Sequence, residues 1–203
     1  MAETAASKRD SPLRRRDADL LESSLGNLPG ATSVTALIVM IGLPGSGKSH
    51  FARQLSQRYP AAVLDSDALR ATLFPGPEHS PLENRRLFPA MHLVIDRLLS
   101  RRVSVIVDAT NLKEASRKPY YAIARRRGAR LLLVRTWAPP AIVKERLRNR
   151  ENAINSHDRS TATVAVYERM RQDVERISRR HLSVNTSKPL GIALDTALGL
   201  LQS

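Results

Sequence analysis

The chain has 203 residues, 42% of them apolar, no cysteine, and 33 Lys and Arg against 19 Asp and Glu, a formal charge of +14. That is apolar material for one α/β core, and the lack of Cys excludes disulfides, thiol nucleophiles and zinc–thiolate sites; any catalysis rests on carboxylates, Lys, Arg, His, Ser, Thr or a bound metal. No run of eighteen apolar residues occurs and the start carries no charged-then-apolar leader, so we expect a cytoplasmic protein with no membrane partner.

Residues 1–31 are polar and turn-rich towards Gly30, and their five basic residues (Lys8, Arg9, Arg14, Arg15, Arg16) are matched by five acids (Glu3, Asp10, Asp17, Asp19, Glu22). They read as a flexible tail or linker with room for a short helix near 18–25, which leaves the whole +14 on a second segment, 32–203. Such an excess favours polyanionic partners, although a solvated arginine surface accounts for it equally well.

From Val34 a continuous apolar, β-branched run to Ile41 predicts a strand buried on both faces. Gly42-Leu43-Pro44-Gly45-Ser46-Gly47-Lys48-Ser49 follows, and helical spacing resumes at Phe51, Ala52 and Leu55. A G-x-x-x-x-G-K-[ST] sequence between strand and helix predicts a phosphate loop. Its glycines let backbone N–H groups, with those of Ser46 and His50, converge on phosphate oxygens at the positive end of the helix. Lys48 is then placed to bridge the β- and γ-phosphates of ATP, and the Ser49 hydroxyl to ligand Mg²⁺.

A short strand at 61–64 leads into Asp65-Ser66-Asp67-Ala68-Leu69-Arg70 and a helix over 68–73. The acids emerge at the same sheet edge as the phosphates. Asp67 reads either as the base for a hydroxyl acceptor, with Arg70 holding the acceptor's far end, or as a helix-start acid beside a solvated arginine. Ser80-Pro81-Leu82-Glu83 predicts a helix start with a capping box, the helix running towards Ser100.

The strand 103–107 ends in Asp108, the place of a metal-holding acid beside the phosphate loop; the competing reading is an N-cap, which Asn111 fills better. Asn111 itself reads as a cap or a ligand of the site. A helix to Gly128, a strand at 130–136, a helix at 139–150, a polar segment at 151–163, a helix over 164–179, and a last strand and helix near 181–185 and 190–201 complete the chain. Strands alternating with helices predict a three-layer α/β domain with a mostly parallel sheet. The polar segment reads as a lid whose arginines, among Arg146, Arg148, Arg150 and Arg159, meet charge on a transferring phosphoryl group. Lys113, Arg117, Lys118, Arg125, Arg126, Arg127 and Arg130 form a basic block that is either a solvated face or a polyanion surface.

The phosphate loop, Asp67-x-x-Arg70, Asp108-Ala109-Thr110-Asn111-Leu112 and the arginine-bearing lid, in that order over about 35–180, resemble the P-loop kinases grouped with the 5′-kinase domain of phage polynucleotide kinase, with zeta-toxin and chloramphenicol phosphotransferase kinases as more distant relatives. The resemblance implies a P-loop NTPase fold, ATP and Mg²⁺ as cofactors, Asp67 as general base, Arg70 as a contact for the substrate's phosphate, and lid arginines, assigned to Arg148 and Arg159, as catalytic. It implies transfer of the γ-phosphoryl to a hydroxyl, either a polynucleotide 5′-hydroxyl or a small nucleoside, sugar or antibiotic. The rival from another class is an ATP-binding switch with no organic acceptor. This chain departs from the polynucleotide kinase in lacking its phosphatase domain and in the spacing of its lid.

Overall fold

The computed structural model describes residues 11–152 and 162–202. Its elements are α1 (Pro12–Ser23), β1 (Ala36–Ile41), α2 (Lys48–Ser56), β2 (Ala61–Asp65), α3 (Ser66–Leu73), α4 (Pro81–Ser100), β3 (Ser104–Asp108), α5 (Glu114–Arg127), β4 (Arg130–Trp137), α6 (Pro140–Asn152), α7 (Val164–Arg171), β5 (Leu182–Asn185) and α8 (Gly191–Gln202). The strands form one sheet in the order β2-β3-β1-β4-β5, every pairing parallel.

The apolar run at 36–41 becomes the central strand because it must be buried on both faces, and all six of its residues are buried. Leu37, Val39 and Ile41 point into a layer with α1, α3, α4 and α5. Ala36, Ile38 and Met40 point the other way, onto Phe51 and Leu55 of α2 and Leu194 and Leu201 of α8. This is the expected three-layer architecture. Truncating a buried Leu such as Leu37 to Ala costs about 2–5 kcal/mol.

Three expectations need correction. The segment at 11–31 is not a plain linker: Ser11 caps α1 by accepting from Arg14 N–H, Pro12 opens the helix, and Ala18 and Leu21 are fully buried against the core. Its acids are taken up by arginines of α4 and its C-cap, Asp17 by Arg86, Asp19 by Arg97, and Glu22 by Arg97 and Arg101.

Asn111 is not the cap of α5. The helix starts at Glu114 with Lys113 as N-cap, which supplies no side-chain acceptor. The acceptor comes from Glu175, whose carboxylate takes the Glu114 N–H at 2.6 Å. That contact explains the third difference, because α7 stops at Arg171 instead of continuing to 179. Lys113 pairs with Asp173 at 2.9 Å, Glu175 N–H donates to Leu112 O, and Arg117 Nη2 donates to Arg176 O. Residues 172–180 thus run along α5 and satisfy its first turn, which a free helix end would leave to water.

Candidate active site

The loop between β1 and α2 is shaped by two residues in the left-handed region, Gly45 (φ 74°) and Gly47 (φ 83°), and Gly47 is the N-cap of α2. Gly42 is required for a different reason. A Cβ there would lie 2.6 Å from Ser46 Oγ and 2.7 Å from both Thr136 O and Thr136 Oγ1.

The loop is held from two further strands. Ser46 Oγ and Thr136 Oγ1, the latter on β4, share a hydrogen bond of 2.9 Å. Just beyond β5, Thr186 Oγ1 donates to Ser46 O at 2.9 Å. Arg146 of α6 donates to Gly45 O, Thr186 Oγ1 and Thr186 O. Lys48 Nζ reaches back to Leu43 O at 3.1 Å, closing the loop. The result is a ring of loop backbone opening on the N-terminus of α2, whose first N–H groups have no acceptor within the helix, a site for anionic oxygens.

Asp108 closes β3, the strand next to β1, and is 95% buried. Burial pushes its carboxyl up to about 6, against the pull of Lys48 and of a hydrogen bond from Ser49; the nearby charges of Asp65 and Asp67 push the same way as burial. A carboxylate and a hydroxyl beside the phosphate ring, both hard oxygen donors, fit Mg²⁺, which keeps most of its waters and phosphate ligands.

Asp65 is the N-cap of α3: its Oδ1 accepts from Asp67 N–H at 2.8 Å and from Ala68 N–H at 3.3 Å. Asp67 is therefore not the capping acid. Its side chain is about a quarter exposed and has His79 Nδ1 at 3.9 Å as a neighbour. His79 stands at φ 56° in the loop between α3 and α4.

Arg70 is not a solvated residue. It is 97% buried, donating to Glu83 Oε2 at 3.1 Å and to Asn84 Oδ1 at 2.7 Å, while its Nε finds no partner among the described residues. Glu83, read from sequence as the acid of a capping box, spends its carboxylate on Arg70 and on Glu78 N–H. The Glu78 N–H, with Arg70 behind it, draws the Glu83 carboxyl below its ordinary range.

One cavity of about 1680 Å³ joins these groups. Its phosphate side carries Gly45, Gly47, Lys48, Ser49, Asp108 and Arg150; its opposite wall carries Asp67, Arg70, His79, Asn84, Phe88 and His92. Asn111 also lines it, but turns its amide inward, donating to Met40 O at 2.9 Å. His50 is at the rim, its ring beside Gln54.

Of the lid arginines, Arg146 and Arg150 line the cavity, whereas Arg148 is exposed and is not brought to it. Arg148 stands two positions from each of Arg146 and Arg150, which share a face at a spacing of four, and so lies on the other side of the helix. Arg159 and most of the lid segment at 151–163 lie outside the described residues. The basic block on α5 is largely paired: Arg126 and Arg127 both grip Asp96, Lys113 pairs with Asp173, and Arg117 is fully buried. Lys118 and Arg125 remain exposed.

Thr136, Thr186, Asn84 and His79 carried no sequence signal. Among the residues that hold the loop from outside it, Arg146 alone carries a sequence signal, its spacing from Arg150.

A parallel sheet of order 2-3-1-4-5 with a glycine-rich phosphate loop after the central strand defines a P-loop NTPase fold. A family model described as an AAA domain matches residues 37–177, and the chain belongs to that family. No curated protein matches the chain closely enough to count as a relative. Among solved structures the chain is similar to a gluconokinase from Sinorhizobium meliloti 1021 (23% identity, TM-score 0.59, covering 87% of this chain and 93% of that one). It is similar also to the APS kinase CysC of Mycobacterium tuberculosis in complex with AMPPNP and APS (19%, TM-score 0.64, 87% and 100%). A third likeness is to a chain of the Pnkp1/Rnl/Hen1 RNA repair complex (22%, TM-score 0.53, 78% and 55%). Among the described residues no helix is long and apolar enough to cross a membrane.

Proposed function

We propose that the protein is an ATP-dependent phosphotransferase that moves the γ-phosphoryl group to a hydroxyl of an organic acceptor. The observation that carries this is the single cavity with a phosphate loop on one side and a carboxylate-and-arginine wall on the other. A switch that only hydrolyses ATP has no need of a second wall holding a buried arginine.

The loop N–H groups and Lys48 bind the β- and γ-phosphates, and Arg146 keeps the loop in register. Asp67 accepts the proton of the acceptor hydroxyl, whose oxygen forms the new bond to phosphorus as the bond to the β-phosphate oxygen breaks and ADP leaves. Arg70, aimed by Glu83 and Asn84, contacts the acceptor. Arg150 is the arginine on the phosphate side, in place of Arg148. Ser49 and Asp108 would hold Mg²⁺, which when bound neutralises charge on the β- and γ-oxygens.

Two acceptor classes follow. A small polar acceptor is favoured by the pairing of Arg126 and Arg127 with Asp96, which halves the charge these two arginines offer to a polyanion. A polynucleotide 5′-hydroxyl is the second reading; Lys118 and Arg125, exposed on α5, support it, as does the likeness to a chain of an RNA repair complex. The test is γ-labelled ATP offered with 5′-hydroxyl DNA, 5′-hydroxyl RNA and a panel of small alcohols. Label in a small acceptor supports the first reading. Label in an oligonucleotide, with binding that weakens with salt at a log–log slope of about −2 for three phosphate contacts, supports the second. ATP turnover with no labelled acceptor sinks both.

A further inference from the structure

We infer that α1 is a brace for the acceptor wall, and that Asp17 is a positioning residue acting through Arg86 of α4. The inference rests on the reading of Asp67 and Arg70 as that wall. Helix α1 lies outside the matched residues 37–177, yet it packs on α3 and α4, the two helices that build the wall.

Its three acids are not equivalent. Asp19 is 64% exposed and pairs with Arg97 at the surface, where an ion pair contributes little. Asp17 has a side chain 1% exposed and a bidentate partner, Arg86 Nε to Oδ2 at 2.6 Å and Nη2 to Oδ1 at 2.7 Å. A buried carboxylate with one such partner cannot lose it without being left charged and dry.

Arg86 is placed to transmit that constraint. Its guanidinium carbon lies 5.3 Å from the ring centre of Phe74, the residue that ends α3. In the preceding turn of α4, Glu83 and Asn84 hold the Arg70 guanidinium. One arginine thus ties α1 to the end of α3 and to the turn of α4 that aims Arg70. Further along, Arg14 of α1 lies close enough to His92, on the cavity wall, for its charge to act on the imidazole. Ala18 and Leu21 share one core cluster with Leu69 and Leu73 of α3 and Leu87 and Met91 of α4. The brace therefore orients α3 and α4 while leaving the phosphate loop, held separately by Thr136, Thr186 and Arg146, alone.

The test uses the full chain and four proteins: wild type, Asp17→Asn, the double variant Asp17→Asn with Arg86→Gln, and Asp19→Asn. Backbone hydrogen exchange is followed at 66–74 and 81–92 and compared with 36–49 and 191–202, and AMPPNP affinity is measured by calorimetry. Asp17→Asn is expected to speed exchange in the first two segments at least tenfold. The other two segments and the AMPPNP affinity should stay within twofold. The double variant should be no worse than the single one, since the two groups act through each other. Asp19→Asn should match wild type. Unchanged exchange in Asp17→Asn, a uniform rise that includes 36–49 and 191–202, or additive effects in the double variant would overturn the brace. Failure of the phosphotransferase reading is seen separately, as wild type that turns over ATP without labelling any acceptor or that does not bind AMPPNP.

Discussion

Asp65 and Asp108 stand opposite each other as the last matched pair of β2 and β3. Adjacent strands lie about 4.8 Å apart, so two carboxylates leave the sheet at one edge beside Lys48. The pair is divided by what each acid touches. Asp65 is spent on the first amides of α3, while Asp108 keeps a Ser49 hydroxyl and stays on the phosphate side. Because Asp65 takes the cap, Asp67 is left to face the cavity.

Lys48→Ala is expected to lower phosphoryl transfer by ~10² or more, the yield of one preorganised donor at developing charge. The fold should persist, as Lys48 lines the cavity and its amine meets the loop at Leu43 O, away from the core. Turnover of γ-labelled ATP and a circular-dichroism spectrum check the two halves.

Asp67→Asn is expected to slow transfer by ~10²–10⁴, the range for a positioned base, with affinity for a non-hydrolysable ATP analogue unchanged. Calorimetry with the analogue separates this from a metal-ligand role, in which nucleotide affinity would collapse instead.

Gly42→Ala is expected to abolish nucleotide binding without touching any charged group. The new methyl would meet Thr136 O at 2.7 Å, and a strand carbonyl cannot yield as a side chain does. Calorimetry with ATP analogue on folded protein reads the outcome; wild-type affinity would show that the loop has slack the contacts deny.

His92 carries a pH prediction. Burial, helped by the charge of Arg14, pushes its imidazole down to about 4 from an ordinary 6.5. Below pH 6.5 the unfolded chain binds a proton that the folded one refuses, so stability is present above that value and is lost as pH falls towards 4. At pH 5 the loss is about 2 kcal/mol. Urea unfolding at pH 7 and pH 5 should show wild type losing about 2 kcal/mol more stability than His92→Gln, the raised carboxyl of Asp108 acting in the opposite sense but equally in both proteins.

The phosphate loop and the sheet edge were legible because they rest on local signals: a glycine spacing that only a strand–loop–helix can use, and apolar runs ending in Asp65 and Asp108. What could not be read was whatever two distant segments settle between them. The start Ser11-Pro12 has the same form as Ser80-Pro81, but α1 docks through Ala18 and Leu21 in the core and through Arg86, 69 residues from Asp17. Residues 172–180 look helical by spacing, and leave the helix because Glu175 satisfies an amide of α5, 61 residues back. Whether Arg70 holds an acceptor or is solvated stayed open because its partners, Glu83 and Asn84, lie in the next helix. Arg148 and Arg150 were separable only by the orientation of α6.

Thr186 meets Ser46 across 140 residues of chain. On a ribosome adding about 5–20 residues per second, the glycine loop emerges early and then waits roughly 7–28 s for the threonine that steadies it. Through that interval the nascent chain carries the motif without the finished ring, and a transcript cut short before β5 would display the signature without the threonine that steadies it.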